Sequence, residues 1–321
     1  MAKKIIIFGG SGYVGSKLIF ELLKKNIKVI NYDRDIFGSK HLPHNHRNYN
    51  HYRGDIRDYS KISRIVNQEK PTIAIHLACI SNDPSFLLNK KLSKEINYLS
   101  FKKLMKISTK TSIEKFIFAS TCSVYGVSKK KHVTENHPLK PITLYNKYKA
   151  ECEKIYLDTI NGQLRGCIIR PSTVCGVSPK MRFDVSVNIL TNFAYKKGYI
   201  KVFGGKQQRP NIHIDDMVRL YVNLCNEKFD KINGEIFNAG FENLTINSIA
   251  LKVKKIVEKI SNKKIEIIRE PSDDVRSYHV NSDKIKKVLK FFPRKNVSDA
   301  IKELSLNFKR GKLKDSFSNI N

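Results

Sequence analysis

No apolar run in this 321-residue chain reaches the length of a bilayer crossing, so no membrane anchor or membrane partner is expected. The six cysteines (Cys79, Cys122, Cys152, Cys167, Cys175 and Cys225) form no CxxC pair and no even framework. That pattern argues against a disulfide scaffold or zinc and for reduced thiols in a cytoplasmic setting. Internal repeats and low-complexity tracts are missing too, which excludes solenoid and fibrous designs. Acidic residues are scarce, 29 against 60 Lys and Arg, for a formal charge of +31. Such a field would attract nucleic acid, anionic lipid or phosphorylated small molecules. The lysines are nevertheless scattered at solvent-face spacing, as in Lys24-Lys25, Lys102-Lys103-Lys106 and Lys252-Lys254-Lys255. No nucleic-acid-reading motif accompanies them, so no specific nucleic-acid partner is expected.

With 40% hydrophobic and 28% charged residues, the chain can bury a full core, and one large domain with a smaller lobe is expected. The opening Ile5-Ile6-Ile7-Phe8 stops at a glycine cluster with no cleavage site after it, and reads as a first strand rather than a leader. Strand and helix patterns then alternate: strands at 4–8, 28–32, 72–77, 115–120 and 166–170, helices at 15–25, 59–68, 94–109 and 145–160. That alternation predicts βαβ units and a doubly wound parallel sheet of Rossmann type. After Pro171 a Gly/Ser/Pro segment at 172–180 marks a crossing into a second lobe. Further elements are predicted at 199–203, after Asp215-Asp216, at 235–238, at 246–260 and from Ser298, with a polar tail from about Gly311. Residues 1–175 are assigned to the larger domain, to which 205–240 returns. Residues 176–204 and 241–321 are assigned to a smaller C-terminal α/β substrate lobe.

Between the first strand and first helix stands Gly9-Gly10-Ser11-Gly12-Tyr13-Val14-Gly15. A pyrophosphate bound at a helix N-terminus needs this arrangement, because backbone N–H groups must come close to it. Side chains at Gly9 or Gly12 would obstruct that approach, and one at Gly15 would hinder helix-against-strand packing. Asp33 ends the second strand at the distance where a carboxylate meets a ribose 2′-hydroxyl, which favours NAD over NADP. The neighbouring Arg34 could meet a 2′-phosphate, which leaves NADP open.

Tyr145 and Lys149 lie one turn apart on a predicted helix, where an ammonium can lower a phenol's pKa enough for acid/base work. Ahead of them, Ala119-Ser120-Thr121-Cys122-Ser123-Val124-Tyr125-Gly126 places hydroxyls at the carboxyl edge of the sheet. Together with Gly54-Asp55-Ile56-Arg57-Asp58, His76-Leu77-Ala78-Cys79, Asn97, Arg170-Pro171, the 209–216 segment RPNIHIDD, Phe237-Asn238-Ala239-Gly240 and Asp274-Val275-Arg276-Ser277-Tyr278, the pattern resembles the extended short-chain dehydrogenase/reductase family. These are NAD-dependent nucleotide-sugar epimerases and dehydratases, and the resemblance covers nearly the whole chain.

The resemblance implies that Tyr145 is the acid/base, that Lys149 holds the nicotinamide ribose and tunes Tyr145, and that Thr121 bonds the reacting hydroxyl. It implies a cofactor cleft lined by Gly9, Gly12, Tyr13, Val14, Gly15, Asp33, Asp55, Ile56, Leu77, Ala78, Cys79, Asn97, Tyr145, Lys149 and Pro171. Thr173, Asn188, Arg209 and Arg276 would bind substrate, with Arg209 on the diphosphate, where a planar guanidinium fits phosphate oxygens. A homodimer through helices 94–109 and 145–160 is implied as well. The family's 4,6-dehydratases commonly carry Asp and Glu after the active-site Thr. Cys122 and Ser123 stand there instead and cannot replace a carboxylate pair.

The expected activity is therefore C4 epimerisation of a nucleotide-diphosphate sugar through a transient keto-sugar. A C4 dehydrogenase or ketoreductase is the alternative, with dehydration and a non-catalytic NAD- and RNA-binding protein behind. His41, His44, His46 and His51 read as a polar surface loop rather than a metal site, and no metal is expected. Cys122 reads as a small packing residue and His213 as a partner for a backbone group.

Overall fold

The computed structural model describes residues 3–128, 132–160, 162–272 and 277–313. Ile5, Ile6, Ile7 and Phe8 are fully buried, as a central strand covered on both faces requires, and they form β1 (Lys4–Phe8). The chain continues through α1 (Tyr13–Leu23), β2 (Lys28–Asp33), β3 (Tyr49–Arg53), α2 (Tyr59–Glu69), β4 (Ile73–His76), α3 (Asp83–Leu88) and α4 (Lys90–Lys94). A π-helical turn (Glu95–Leu99), α5 (Ser100–Ser108), β5 (Lys115–Ala119), a 3₁₀ turn (Cys122–Tyr125), α6 (Leu144–Thr159) and β6 (Arg165–Pro171) follow. Next come β7 (Thr173–Cys175), α7 (Ser186–Lys197), β8 (Tyr199–Phe203), β9 (Gln208–His213), α8 (Ile214–Asn226), α9 (Phe229–Ile232) and β10 (Glu235–Ala239). The last elements are β11 (Glu242–Thr245), α10 (Ile246–Ser261), β12 (Glu266–Glu270), α11 (Asp283–Leu289) and α12 (Val297–Lys309).

Seven strands form one sheet in the order β10-β6-β5-β4-β1-β2-β3. Neighbours from β6 to β3 all pair in parallel, as the alternating pattern predicts. The order reverses between β1 and β4, so their carboxyl ends diverge and open the crevice where such folds bind ligands. A core of Ile6, Phe8, Phe101, Phe116, Phe118 and Tyr156 packs against this sheet.

The chain divides into two compact units. The first comprises residues up to Val124, Leu139–Arg170 and Val218–Phe237; the second comprises Tyr125–Pro138, Pro171–Met217 and the chain from Asn238. The second unit holds the small sheets β11-β9-β7 and β12-β8, with its own core of Val187, Ile200, Val253, Ile265 and Ile301.

The helix predicted over 94–109 is broken. Its start is the π turn, where an extra residue per turn aims the buried Asn97 at the loop after β4. Asn97 Oδ1 accepts the Ile80 N–H at 2.8 Å, and its Nδ2 donates to the Ile80 carbonyl at 2.9 Å. Strand β3, Tyr-Asn-His-Tyr-Arg, is absent from the sequence-based expectation because it lacks β-branched residues; pairing with β2 makes it a strand.

His76 ends β4 inside the aromatic core, its ring stacked on Phe118 at 6.0 Å and 5.3 Å from Phe101. Burial, helped by the Lys149 charge, pushes its imidazole down to about 3. An unfolded histidine takes a proton near pH 6.5, whereas this one stays neutral until far lower. Its stabilising contribution is therefore complete above about pH 6.5 and fades as pH falls toward 3, by up to about 1.4 kcal/mol per pH unit. His76→Phe should thus lose about 2–3 kcal/mol less than wild type between pH 7 and about pH 4.5 in denaturant titrations. Identical acid sensitivity in the two proteins would contradict the assignment.

Candidate active site

The turn after β1 is tight because Gly9 has φ +88° and a Cβ there would lie 2.5 Å from the Ala78 nitrogen. Gly15 is held for packing, since its Cβ would meet the Gly10 Cα at 2.6 Å. Gly12 differs: a Cβ there would touch only the Gly9 carbonyl, at an ordinary 3.5 Å. The fold itself leaves room for a side chain at Gly12, so no packing demand accounts for the glycine there. Gly12 also begins α1 with no side-chain cap, and a helix N-terminus of this kind can receive an anion.

Asp33, at the end of β2, is fixed by two backbone donors: Ser11 N–H to Oδ2 and Asp35 N–H to Oδ1, both at 2.9 Å. Burial raises its carboxyl above the ordinary value, while these two N–H groups oppose the rise. Behind it lies a polar network that the sequence reading misses. Ser11 Oγ donates to Asp35 at 2.6 Å, Asp35 pairs with His51 at 2.7 Å, and Asn31 Nδ2 donates to Ser11 Oγ and Tyr49 OH. His41 Nε2 lies 3.1 Å from the Ser11 carbonyl. His41 and His51 therefore brace the glycine loop, where a polar surface loop was expected.

Asp55 is gripped by Arg57, whose Nε and Nη2 each donate at 2.9 Å, and this hydrogen bonding holds its carboxyl below the usual range. Arg34 lies 3.7 Å from the same carboxylate, so its charge is turned toward Asp55. Ile56 is buried beside it. Leu77, Ala78 and Cys79 follow β4 against the glycine loop, where the Leu77 N–H donates to the Phe8 carbonyl at 2.8 Å.

At the carboxyl end of β5, Thr121 Oγ1 stands 2.8 Å from Ser123 Oγ. The Cys122 thiol is fully buried and donates to the Arg170 carbonyl at 2.9 Å, so it packs in the core. Helix α6 begins at the cap Thr143, whose Oγ1 accepts the Asn146 N–H at 3.3 Å. Its inward face carries Tyr145, Asn146, Lys149 and Glu153, all buried. Lys149 Nζ donates to the Ala119 carbonyl at 2.7 Å and sits 5.0 Å from the Phe118 ring centroid, which aims it at the end of β5. The Tyr145 ring packs at 6.4 Å on Phe86 of α3.

In the second unit, Pro171 ends β6 and Thr173 opens β7, paired with Asn211 of β9. Asn188 is fully buried at the start of α7, where its Oδ1 accepts the Gly176 N–H at 3.1 Å and its Nδ2 donates to the Arg182 carbonyl at 2.8 Å. Its side chain thus shapes the 176–186 loop. Arg209 lies on β9, with Nη1 donating to the Gln208 carbonyl at 3.0 Å. Arg276 lies outside the described residues. His213 Nδ1 accepts the Asp215 N–H at 3.1 Å. Ligand atoms of His213, Asp215 and Glu303 come within 4.8 Å of one another, but the Lys295 ammonium, 2.6 Å from Asp215 and bonded to Glu303, already supplies the cation.

An uncapped helix N-terminus behind an open Gly12, a fixed carboxylate at the end of β2, hydroxyl groups just after β5, and phenol and ammonium groups on α6 define an enzyme of the Rossmann dinucleotide-binding class. The open Gly12 position ahead of an uncapped helix N-terminus and the fixed Asp33 carboxylate fit the pyrophosphate and a ribose hydroxyl of NAD.

Residues 5–240 match the profile of the NAD dependent epimerase/dehydratase family, and the chain belongs to that family. It is similar to a UDP-glucose 4-epimerase of Lactobacillus helveticus, 26% identical over 278 residues, 79% of this chain and 82% of the relative. A human dTDP-D-glucose 4,6-dehydratase is 27% identical over 301 residues, 88% of this chain and 82% of that protein. Among solved structures, the Thermotoga maritima UDP-glucose 4-epimerase with UDP-glucose superposes with a TM-score of 0.84 at 23% identity, covering 96% of this chain and 99% of that one. Among the described residues, no helix is long and apolar enough to cross a membrane.

Proposed function

We propose that this protein is an NAD-dependent nucleotide-sugar 4-epimerase acting on a UDP-hexose. The observation that carries the reading is the Thr121-Cys122-Ser123 segment. It keeps the hydroxyl that a carbinol needs, while the two following positions hold a core thiol and a hydroxyl rather than the carboxylates that elimination of water requires. The names of the relatives support the substrate class, since UDP-glucose 4-epimerases and dTDP-glucose dehydratases are both among them.

In this reading the backbone of Gly12–Gly15 binds the pyrophosphate, and Asp33 accepts the adenosine ribose hydroxyls. Asp55, Ile56, Leu77, Ala78 and Cys79 line the cleft, Asn97 holds its wall through Ile80, and Pro171 is a further cofactor-binding residue that the family pattern implies. Bound NAD supplies the hydride acceptor for C4 and later returns the hydride. Tyr145 takes the carbinol proton as the C4–H bond breaks and gives it back when the ketone is reduced on the opposite face. Lys149 favours the phenolate electrostatically and binds the nicotinamide ribose. Thr121 holds the reacting oxygen. Arg209 meets the diphosphate, with Arg276 as a second cation, and Thr173 and Asn188 shape the sugar and nucleotide sites. Leu99 and Leu157, 40% and 39% exposed beside α5 and on α6, support pairing of two copies through these helices.

The test is incubation with UDP-glucose and, separately, UDP-galactose. Both should reach the same mixture with no net change in reduced-nicotinamide absorbance. A net gain of reduced cofactor would instead mark a dehydrogenase, and loss of water a dehydratase.

A further inference from the structure

Ser123 and Asn146 extend inward from Thr121 as a chain. Thr121 Oγ1 lies 2.8 Å from Ser123 Oγ, Ser123 Oγ donates to Asn146 Oδ1 at 2.6 Å, and the Ser123 N–H donates to Thr121 Oγ1 at 3.2 Å. Asn146 is fully buried, and its Nδ2 amino group has no hydrogen-bond partner among the described residues. Folds rarely retain a buried donor of this kind without a use for it.

Counting protons gives the chain a direction. Ser123 has one hydroxyl proton, and it is committed to Asn146. The contact between the two hydroxyls then needs the Thr121 proton, so Thr121 faces outward with a lone pair only. A lone pair suits a carbinol, whose O–H can donate to it. It does not suit a ketone, whose oxygen needs a donor. Thr121 is freed to donate outward when Ser123 turns its own O–H back to Thr121, and the Ser123 oxygen is then satisfied by a hydrogen bond from a donor beyond it. A half-turn of the Asn146 amide presents Nδ2 to Ser123 and provides that donor. Asparagine holds both a donor and an acceptor at this place, whereas an ionised aspartate accepts only and leucine does neither.

We infer that Ser123 and Asn146 are positioning residues that let Thr121 reverse its hydrogen-bond polarity between the carbinol and ketone stages. The inference rests on the hydride chemistry proposed above. No covalent bond changes in the relay, since each oxygen keeps its own proton and only orientations switch.

The test is a double-mutant cycle. Asn146→Asp locks Thr121 as an acceptor and should lower kcat about 10–100-fold with KM within about threefold, as loss of a donor to a developing carbonyl oxygen does. The fraction of bound cofactor in the reduced form at saturating sugar nucleotide should fall about tenfold, because the ketone stage alone is disfavoured. Ser123→Ala should cost about tenfold in kcat by itself. In its background Asn146→Asp should add less than about twofold, because the link is already cut. A merely structural role would give additive losses and an unchanged reduced fraction. If Asn146→Asp does not fold, Asn146→Leu takes its place under the same criterion of non-additivity. Additive effects, or wild-type kcat in the Asn146 variants, would overturn the relay. A wild-type protein that neither converts UDP-hexoses nor reduces its bound cofactor with them overturns the functional reading, and the relay with it.

Discussion

Replacing Tyr145 with phenylalanine is expected to lower kcat by about 10²–10⁴-fold, the usual contribution of a positioned proton acceptor. That corresponds to roughly 3–5 kcal/mol of transition-state stabilisation. The loss should fall on catalysis. The aromatic ring that packs on Phe86 is retained, and the glycine loop and Asp33, which bind the cofactor in the proposed reading, are unchanged by the substitution. Retained NAD, the melting temperature and KM within a few-fold of wild type should accompany the loss. Turnover near wild type would remove Tyr145 from its role.

The largest expected effect on stability lies two turns further along α6. Glu153 and Arg170 form an ion pair at 2.6 Å with side chains 4% and 3% exposed, and Ser120 Oγ donates to the same carboxylate. Both charges are desolvated, so the pair is held by geometry rather than by net Coulombic gain. Glu153→Gln keeps the shape and leaves the guanidinium without its counter-charge, which should cost about 3–5 kcal/mol in chemical denaturation. Replacing both partners, Glu153→Leu with Arg170→Met, should cost less than the single change, since no unpaired charge remains. A double variant less stable than Glu153→Gln would contradict this account. Because Ser120 directly precedes Thr121, Glu153→Gln should also reduce kcat.

The sheet was readable because its central strands are buried on both faces and rich in isoleucine, as in β1, and because the glycine loop is set by local backbone demands. Helix α6 is signalled in the sequence only by the spacing of Tyr145 and Lys149. Its buried face carries Tyr, Asn, Lys and Glu, which inverts the rule that polar residues face water, so hydrophobic periodicity says nothing about Asn146 or Glu153. Strand β3 and the π turn depend on their neighbours: one pairs with β2, and the other places Asn97 on Ile80. Asp35 and His51 were invisible for a related reason. They are joined through a pairing across the β2–β3 edge that no short window of sequence displays.

The most direct test of the central claim is the fate of a deuterium at C4. UDP-galactose carrying deuterium at that carbon should be converted to UDP-glucose with the label kept at C4, since the hydride leaves and returns within one active site while Tyr145 handles only the hydroxyl proton. Loss of the label to solvent, or its appearance in released reduced cofactor, would contradict the account.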